Sequence, residues 1–411
     1  MEERLWKVVE SWNHWGEKAS GQASSAVESK SQYKKKPYLG IERKVTREAW
    51  RLISGPEAVY FYGPRRSGKT TVCIQLLWRL SEKYGKKSCL YLNFEEPAFA
   101  GRLGTDFISE IVAQHGKVHG QKPRFIFLDE VQGVAGWEKW VRRAVDLKEC
   151  KVFATGSSAK LLSSEFATVL SGRGLGFLVL PFSFSEFRVA IPGADLEDYF
   201  SVGGYPAIVL EKDPVKRTRL LEEYFDAAIA RDIAARYEVR DIASLRSLAV
   251  FVLTNSGKPI SYNKLRASTG LSFDAIKLYL SYIEDAFLAF QVPQFSYSMK
   301  KAMEKPRKYY AYDLGMQAAV SKSYSPDMGR KAETAVAIEL KRREAEPQYY
   351  SNGNEVDFVV RKGLKPTAIN ICYSDRAPER ERAGLEQFAA MHKGAETLML
   401  VGRKAISEWL S

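Results

Sequence analysis

One eight-residue run, Gly63-Pro-Arg-Arg-Ser-Gly-Lys69-Thr70, constrains this chain more than any other feature. It matches GxxxxGK[ST] throughout, follows the apolar run AVYFY (58–62) and opens the amphipathic run TTVCIQLLWRL (70–80). A glycine-rich turn between a strand and a helix lets successive backbone N–H groups converge on phosphate oxygens. The helix N-terminus adds partial positive charge there. Gly63, Pro64, Arg65, Arg66, Ser67, Gly68, Lys69, Thr70 and Thr71 are therefore the candidate cradle of a nucleoside triphosphate. In that geometry Lys69 reaches the β- and γ-phosphates and the Thr70 hydroxyl holds Mg²⁺.

A second run belongs with the first. Arg124-Phe-Ile-Phe-Leu-Asp129-Glu130 is an apolar strand ending in two acids, the Walker B form. Asp129 at the C-terminal end of a parallel strand can bind Mg²⁺ through water, and Glu130 can polarise the attacking water as a general base. A third strand, Val152-Phe-Ala-Thr155-Gly-Ser157-Ser158, ends in hydroxyls, so Ser157 or Thr155 is a candidate γ-phosphate sensor. Small polar residues end many strands, and that reading stays open beside it. Arg173 is a candidate for neutralising transition-state charge; a surface arginine accounts for it equally well.

The rest of the chain organises around this core. Strand-like runs at Ala58–Tyr62, Ser88–Phe94, Phe125–Asp129, Lys151–Thr155 and Gly176–Phe182 alternate with helix-like stretches such as Thr70–Tyr84 and Trp137–Leu147. That alternation predicts a parallel sheet covered by helices on both faces. Upstream, Leu5, Val8, Val9, Trp12 and Trp15 have near-helical spacing. This segment either packs on the core or docks a partner, and the serine-rich stretch Ala19–Gln32 reads as a linker. Residues 185–240 read as helical, and 241–315 as a helix-turn-helix unit. Beyond about Gly329, a helix and alternating strands make a second α/β domain.

Composition excludes more than it selects. With 411 residues, 45% of them hydrophobic, the chain can bury real cores. No run approaches the roughly 18 apolar residues of a membrane span, and the start lacks the pattern of a signal peptide. Cys73, Cys89, Cys150 and Cys372 are far apart with no CxxC, which argues against a zinc ribbon or a disulfide framework and for a reducing, cytoplasmic setting. His115 and His119 stand four apart, but Gly116 and Gly120 interrupt the segment, which reads as a solvated loop and not as a metal site. The formal charge of +13 suits polyanionic partners such as nucleotides or nucleic acid, and equally a solvated basic surface.

Taken in order, GPRRSGKTT, FIFLDEVQ, FATGSSAKLL, LSGRG, PFSFSEF, GGYP, ARDIAARYEVR and GNEVDFVV resemble the archaeal branch of the AAA-type ATPases, whose C-terminal domain has a degenerate restriction-endonuclease-like fold. The resemblance covers nearly everything from Tyr38 onward. It implies an α/β fold class: a P-loop AAA-type core with a parallel five-stranded sheet and a helical lid, then a winged-helix module and a nuclease-like domain. The corresponding domains are 1–37, 38–184, 185–240, 241–315 and 316–411. ATP and Mg²⁺ are the implied ligands. Gly203-Gly204-Tyr205-Pro206 looks like the lid segment that packs near the adenine, and a simple helix–helix turn explains it as well.

Two modules extend the functional reading. In 259–287 a short helix, a turn at Gly270 and a second helix capped by Ser272 fit a helix-turn-helix with Ala275, Ile276, Leu280 and Ile283 on its core face. The next segment holds Lys300, Lys301, Lys305, Arg307 and Lys308 against Glu304, a candidate wing for DNA phosphates. The presumed recognition helix has one base, Lys277, and three acids, Asp274, Glu284 and Asp285, which argues against reading of base edges and leaves an interdomain packing role open. In the terminal domain Glu333, Glu355 and Asp357 fit the layout of a PD-(D/E)xK nuclease. Asn370 and Cys372 stand where an acid and a lysine belong, so a non-cleaving domain is expected. The leading functional expectation is an Mg-dependent ATPase linked to these modules. The alternative is a nucleotide-controlled switch that binds a protein partner with little turnover. The sequence leaves oligomeric state open.

Overall fold

The computed structural model describes residues 3–13, 39–157, 172–296, 298, 305–321, 327–363 and 365–411. The serine-rich linker, Trp15, Lys300 and Lys301 lie outside them. The chain divides into two compact units: Met1–Gly63 with Gly68–Val179, and Pro64–Ser67 with Leu180–Ser411.

The first unit is built on five parallel strands, β1 (Ala58–Tyr62), β2 (Cys89–Asn93), β3 (Phe125–Asp129), β4 (Lys151–Gly156) and β5 (Gly174–Leu178), in the order β2-β3-β4-β1-β5. The α/β fold class and the five-stranded sheet read from the sequence are found here. Every residue of β3 and β4 is buried, as parallel strands covered on both faces require. Alternate residues feed two cores. Leu90, Leu92, Ile126, Leu128, Val152 and Ala154 join one. Val59, Phe61, Tyr91, Phe125, Phe127 and Phe153 join the other, where the rings of Phe127 and Phe153 stack at 4.7 Å. The expected fifth strand, Gly176–Phe182, is shifted: β5 starts at Gly174 and stops at Leu178, short of Pro181, which has no N–H for a ladder.

The helices that cover the sheet include α1 (Glu3–Trp12), α2 (Lys69–Tyr84), α3 (Thr105–His119) and α4 (Trp137–Asp146). Leu5, Trp6 and Val9 of α1 enter the first core, so the N-terminal segment packs on its own parallel-sheet unit. Asn13 then pairs with the outer strand: its Nδ2 donates to Tyr91 O at 2.9 Å, and its Oδ1 accepts from Tyr91 N at 2.8 Å. The loop expected around His115 is instead the end of α3. Phe107, Ile108, Ile111 and His115 form its buried side, which outweighs the poor propensity of Gly116, and Gly120 closes it in the left-handed region at φ 74°. His115 packs 4.4 Å from His119, and both lie about Trp6. Burial and the neighbouring His119 lower the His115 pKa to about 4, so it stays neutral. Among the described residues, no group of three or more His, Cys, Asp or Glu side chains is arranged so that it could hold a metal ion as the chain stands. No helix there is long and apolar enough to cross a membrane.

The second unit begins with short helices and continues through α5 (Pro214–Ala227) into a π-helical stretch, Ala228–Ala234. The GGYP segment is a turn inside this unit. Gly203 has φ 76°, a Cβ on Gly204 would sit 2.4 Å from Phe182 O, and Tyr205 is buried edge-to-face against Tyr224 at 5.5 Å. The helix–helix turn explains it, and Tyr205 offers no open surface.

The helix-turn-helix reading finds its elements: α6 (Tyr262–Thr269), Gly270 at φ 70°, and α7 (Phe273–Asp285), with the Ser272 hydroxyl accepting from Ala275 N at 3.2 Å. Ile276, Leu280 and Ile283 are buried and Ala275 half-buried. A three-stranded sheet comes next, β6 (Pro259–Ile260), β8 (Arg307–Ala311) and β7 (Ala289–Val292) in that order, all antiparallel. This sheet corrects the wing. Lys308, expected on the surface, is only 2% exposed and ion-pairs with Glu333 and Glu355. Arg307 is half-buried and hydrogen-bonds Gln291. A strand turns alternate residues to opposite faces, so a basic run read as a surface is split.

The terminal part places helix α9 (Met328–Arg342) before a mixed sheet of β9 (Gln348–Asn352), β10 (Asn354–Lys362), β11 (Lys365–Cys372) and β12 (Glu396–Val401), order β12-β11-β10-β9. Strands β9 to β11 are antiparallel, and α10 (Glu379–Met391) makes the parallel crossover to β12. Asp357 on β10 is half-buried, and desolvation together with Glu333 holds its carboxyl well above the usual carboxylate range.

One buried acid ties this unit together. Asp313 caps α8 (Leu314–Val320) by accepting from Met316 N at 2.8 Å, and it also accepts from Gly204 N at 2.7 Å. Burial pushes its carboxyl up to about 6. Since the folded pKa lies above the unfolded one, the group stabilises most below about pH 4, and that share is lost as pH rises through about 6. Asp313→Ala strands two buried N–H groups and should cost about 2 kcal/mol at pH 7. The deficit should be larger at pH 4.5, as read from urea unfolding of the second unit.

Candidate nucleotide site

The phosphate loop leaves β1 at Gly63, where only glycine fits. Its φ is 142°, and a Cβ would lie 2.3 Å from Val179 O. Gly68, at φ 99°, is the residue from which α2 starts. That start puts Lys69 and Thr70 in the helix's first turn, at its positive end. Lys69 is 4% exposed, and its Nζ donates to Gly63 O at 3.0 Å, folding the ammonium back over the loop. Thr71, one residue on, is exposed.

The acids of β3 meet this helix end. Thr70 Oγ1 donates to Asp129 Oδ2 at 2.9 Å. Tyr91 OH donates to the same oxygen at 2.6 Å, and Thr155 Oγ1 donates to Oδ1. Asp129 is 2% exposed; burial and Glu130 raise its pKa, while the three hydroxyls pull the other way. Glu130 comes next in the left-handed region, φ 52°, with its N–H donating to Thr155 Oγ1 at 2.9 Å. Its carboxylate accepts from Gln132 Nε2 at 2.5 Å, and the same amide reaches Ser157 Oγ at 3.4 Å. Gln132 Oε1 is buried with no hydrogen-bond partner among the described residues. A cavity of about 260 Å³ opens here, walled by Trp12, Thr70, Tyr91, Asn93, Asp129 and Glu130.

The structure thus brings together Gly63, Gly68, Lys69, Thr70, Asp129, Glu130, Thr155 and Ser157 within the first unit. Pro64, Arg65, Arg66 and Ser67, the tip of the loop, group with the second unit. There Arg65 Nε pairs with Asp232 Oδ1 at 2.6 Å, on the π-helical stretch, and the Arg66 guanidinium lies 4.1 Å from the centre of the Tyr224 ring. Both arginine side chains of the candidate cradle are thus engaged by protein side chains.

Arg173 lies away from these residues of its own chain. Its carbonyl accepts from Ala58 N at 2.8 Å, and the next residue, Gly174, pairs with Ala58 at the start of β1. The phosphate loop leaves the other end of that strand, about 13 Å away at 3.3 Å per residue. The Arg173 guanidinium pairs with Asp146 at 2.5 Å. Strand direction decides this, and a sequence read without strand pairing does not show which end an arginine joins. Conversely, Tyr91 and Gln132 were not among the sequence candidates. Gln132 stands in the run DEVQ, two residues past the base candidate, and that proximity was its one signal.

Residues 55–188 match the family model described as an AAA domain, and residues 193–327 match a domain of unknown function, DUF8612. Uncharacterized protein MJ1544 of Methanocaldococcus jannaschii is 33% identical over 364 residues, covering 82% of this chain and 79% of that protein. An uncharacterized protein of Haemophilus influenzae is 30% identical over 326 residues, covering 76% of this chain and 81% of its own length. Among solved structures, C. elegans PCH-2 is similar at 18% identity and a TM-score of 0.30, over 61% of this chain and 71% of that one, too loosely to add to the strand order already described. The second relative is bacterial, so the likeness is not confined to archaea. With an AAA domain across its parallel sheet and relatives matching along most of their length, the chain belongs to the family of AAA-type, P-loop ATPase-like proteins that includes these two.

Proposed function

We propose that the chain binds ATP with Mg²⁺ and hydrolyses it. The observation that carries this reading is the 2.9 Å contact from Thr70 Oγ1 to Asp129 Oδ2, at the helix end that also carries Lys69. A hydroxyl and a buried carboxylate side by side are hard oxygen donors, which fit Mg²⁺. Thr70 would ligate it directly and Asp129 through water; when bound, the ion neutralises charge on the β- and γ-phosphates. Lys69 exchanges its hold on Gly63 O for phosphate oxygens. Glu130 accepts a proton from the attacking water as the water oxygen bonds to the γ-phosphorus. The bond to the bridging oxygen breaks and its electron pair stays on the diphosphate. Gln132 positions Glu130, and its buried Oε1 is suited to accept from that water. Ser157, tied to the same amide, reports the γ-phosphate. Adenine as the base rests on the family resemblance.

The tip of the loop favours a coupled output. Arg65 and Arg66 link phosphate binding to Asp232 and Tyr224, so nucleotide state bears on the helices of the second unit. In this reading 241–315 is a winged-helix module and 316–411 a nuclease-like domain that does not cut. The acidic helix α7 and the buried Lys308 favour a protein partner or internal packing over sequence reading. Any nonspecific DNA contact falls to Lys305 and to Lys300 and Lys301.

Lys69→Ala should weaken ATP binding about 100-fold or more. Glu130→Gln should bind ATP as wild type does and lose turnover by about 100-fold. Equilibrium titration with labelled nucleotide and a phosphate-release assay with single-stranded, duplex and branched DNA measure both. Wild-type turnover in the two variants would dismiss the site. Thr155→Val keeps shape but removes the hydroxyl shared by Asp129 and Glu130. It should lower turnover about 10-fold with little change in ATP affinity, and cost about 1–2 kcal/mol of stability in urea.

A further inference from the structure

The terminal acids fail as the metal site that a nuclease-like layout implies, and the reason is on β8. Lys308 is 2% exposed, with Nζ 3.0 Å from Glu333 Oε1 on α9 and 2.7 Å from Glu355 Oε1 on β10. Tyr310, on the same face of β8, donates its OH to that Glu333 oxygen at 2.5 Å. One carboxylate oxygen therefore already serves two donors. Asp357, two residues beyond Glu355, accepts from Ile371 N at 2.8 Å through Oδ2, and its N–H donates to Asn370 Oδ1 at 2.9 Å. The Asn370 amide is committed in turn to Glu381 O and Oε2, both at 2.9 Å. The position expected to supply an acid supplies a neutral amide that orients Asp357's own strand.

Size and charge decide the rest. Mg²⁺ demands oxygens at about 2.1 Å in near-octahedral array. An ammonium 2.7 and 3.0 Å from two of the three carboxylates already stands in the space such an ion would take. The Lys308 ammonium, 2% exposed, needs compensating anions, and Glu333 and Glu355 supply them, so their charge is already answered by a cation carried on the chain.

We propose that the Lys308 ammonium permanently fills the cation position of the Glu333–Glu355–Asp357 cluster, making it a metal-free ionic clamp between β8 and the terminal domain, and that removing the lysine opens a divalent-cation site there. This inference is independent of ATP hydrolysis in the first unit. Mn²⁺ is the probe, titrated into the nucleotide-free full chain and followed by the loss of free-ion EPR signal. Wild type and Asp357→Asn should give the same curve, because any Mn²⁺ at Asp129 is common to both. Lys308→Ala should gain one equivalent of Mn²⁺, and Lys308→Ala with Asp357→Asn should lose it again. Lys308→Met, of similar length, replaces the alanine variant if that one does not fold. A wild-type equivalent abolished by Asp357→Asn would overturn the proposal, as would a folded Lys308 variant that gains none. If neither lysine variant folds, the wild-type and Asp357→Asn curves decide: equal curves support the clamp, unequal ones overturn it.

Discussion

Asp129 is the point on which the first unit is assembled. An acid 2% exposed between apolar walls costs several kcal/mol unless its oxygens are satisfied. Here three hydroxyls satisfy them, Thr70 from α2, Tyr91 from β2 and Thr155 from β4. Those donors fix more than the carboxylate. Thr155 requires β4 beside β3, Tyr91 requires β2 on the other side, and Thr70 requires that α2 begin where the loop ends. A slip of one residue in either strand pairing would turn the hydroxyl to the opposite face and strand the acid. The strand order β2-β3-β4 and the candidate metal-binding pair are thus one constraint, with Gly63 and Gly68 supplying the backbone angles that let the loop satisfy it.

How much of this the sequence disclosed depended on whether local pattern or long-range pairing decides each feature. Strands β1 and β3 were legible to the residue, because AVYFY and FIFLD are short apolar runs closed by a glycine and by acids. The phosphate loop was legible because its chemistry is local. The donors to Asp129 were less so: Tyr91 sits in an apolar strand, where its ring reads as core and its hydroxyl has no visible destination. The ion pair of Arg173 with Asp146 was illegible for the same reason. Its chain position, just past a hydroxyl-rich run, says nothing about which end of a parallel strand it joins.

Charge patterning misled in the second unit because a run of lysines was read as a surface while its backbone was a strand. In β8, Arg307 and Tyr309 alternate with Lys308 and Tyr310, and the second pair turns toward Glu333. Buried acids and bases here are consistently answered from distant sequence: Asp313 by Gly204, Lys308 by Glu333 and Glu355, Arg65 by Asp232. Each is costly alone and tolerable only as paired, so each specifies one arrangement of its elements. His115 shows the converse, a polar residue that burial has made into neutral core.

The left-handed conformation of Glu130 then acquires a reason. Consecutive residues of a regular strand face opposite ways, so a strand continued through Glu130 would send it away from Asp129. At φ 52° the strand ends and turns, and both carboxylates line one cavity. A non-glycine residue held there costs about 1–2 kcal/mol. The hydrogen bond from its N–H to Thr155 Oγ1 and the bond from Gln132 to its carboxylate oppose that cost. Because Thr155 also serves Asp129, the hydroxyl that satisfies Asp129 holds Glu130 in its strained place. A change in either acid's partners is therefore felt by the other, and the two carboxylates act as one unit although the sequence presents them as a simple pair.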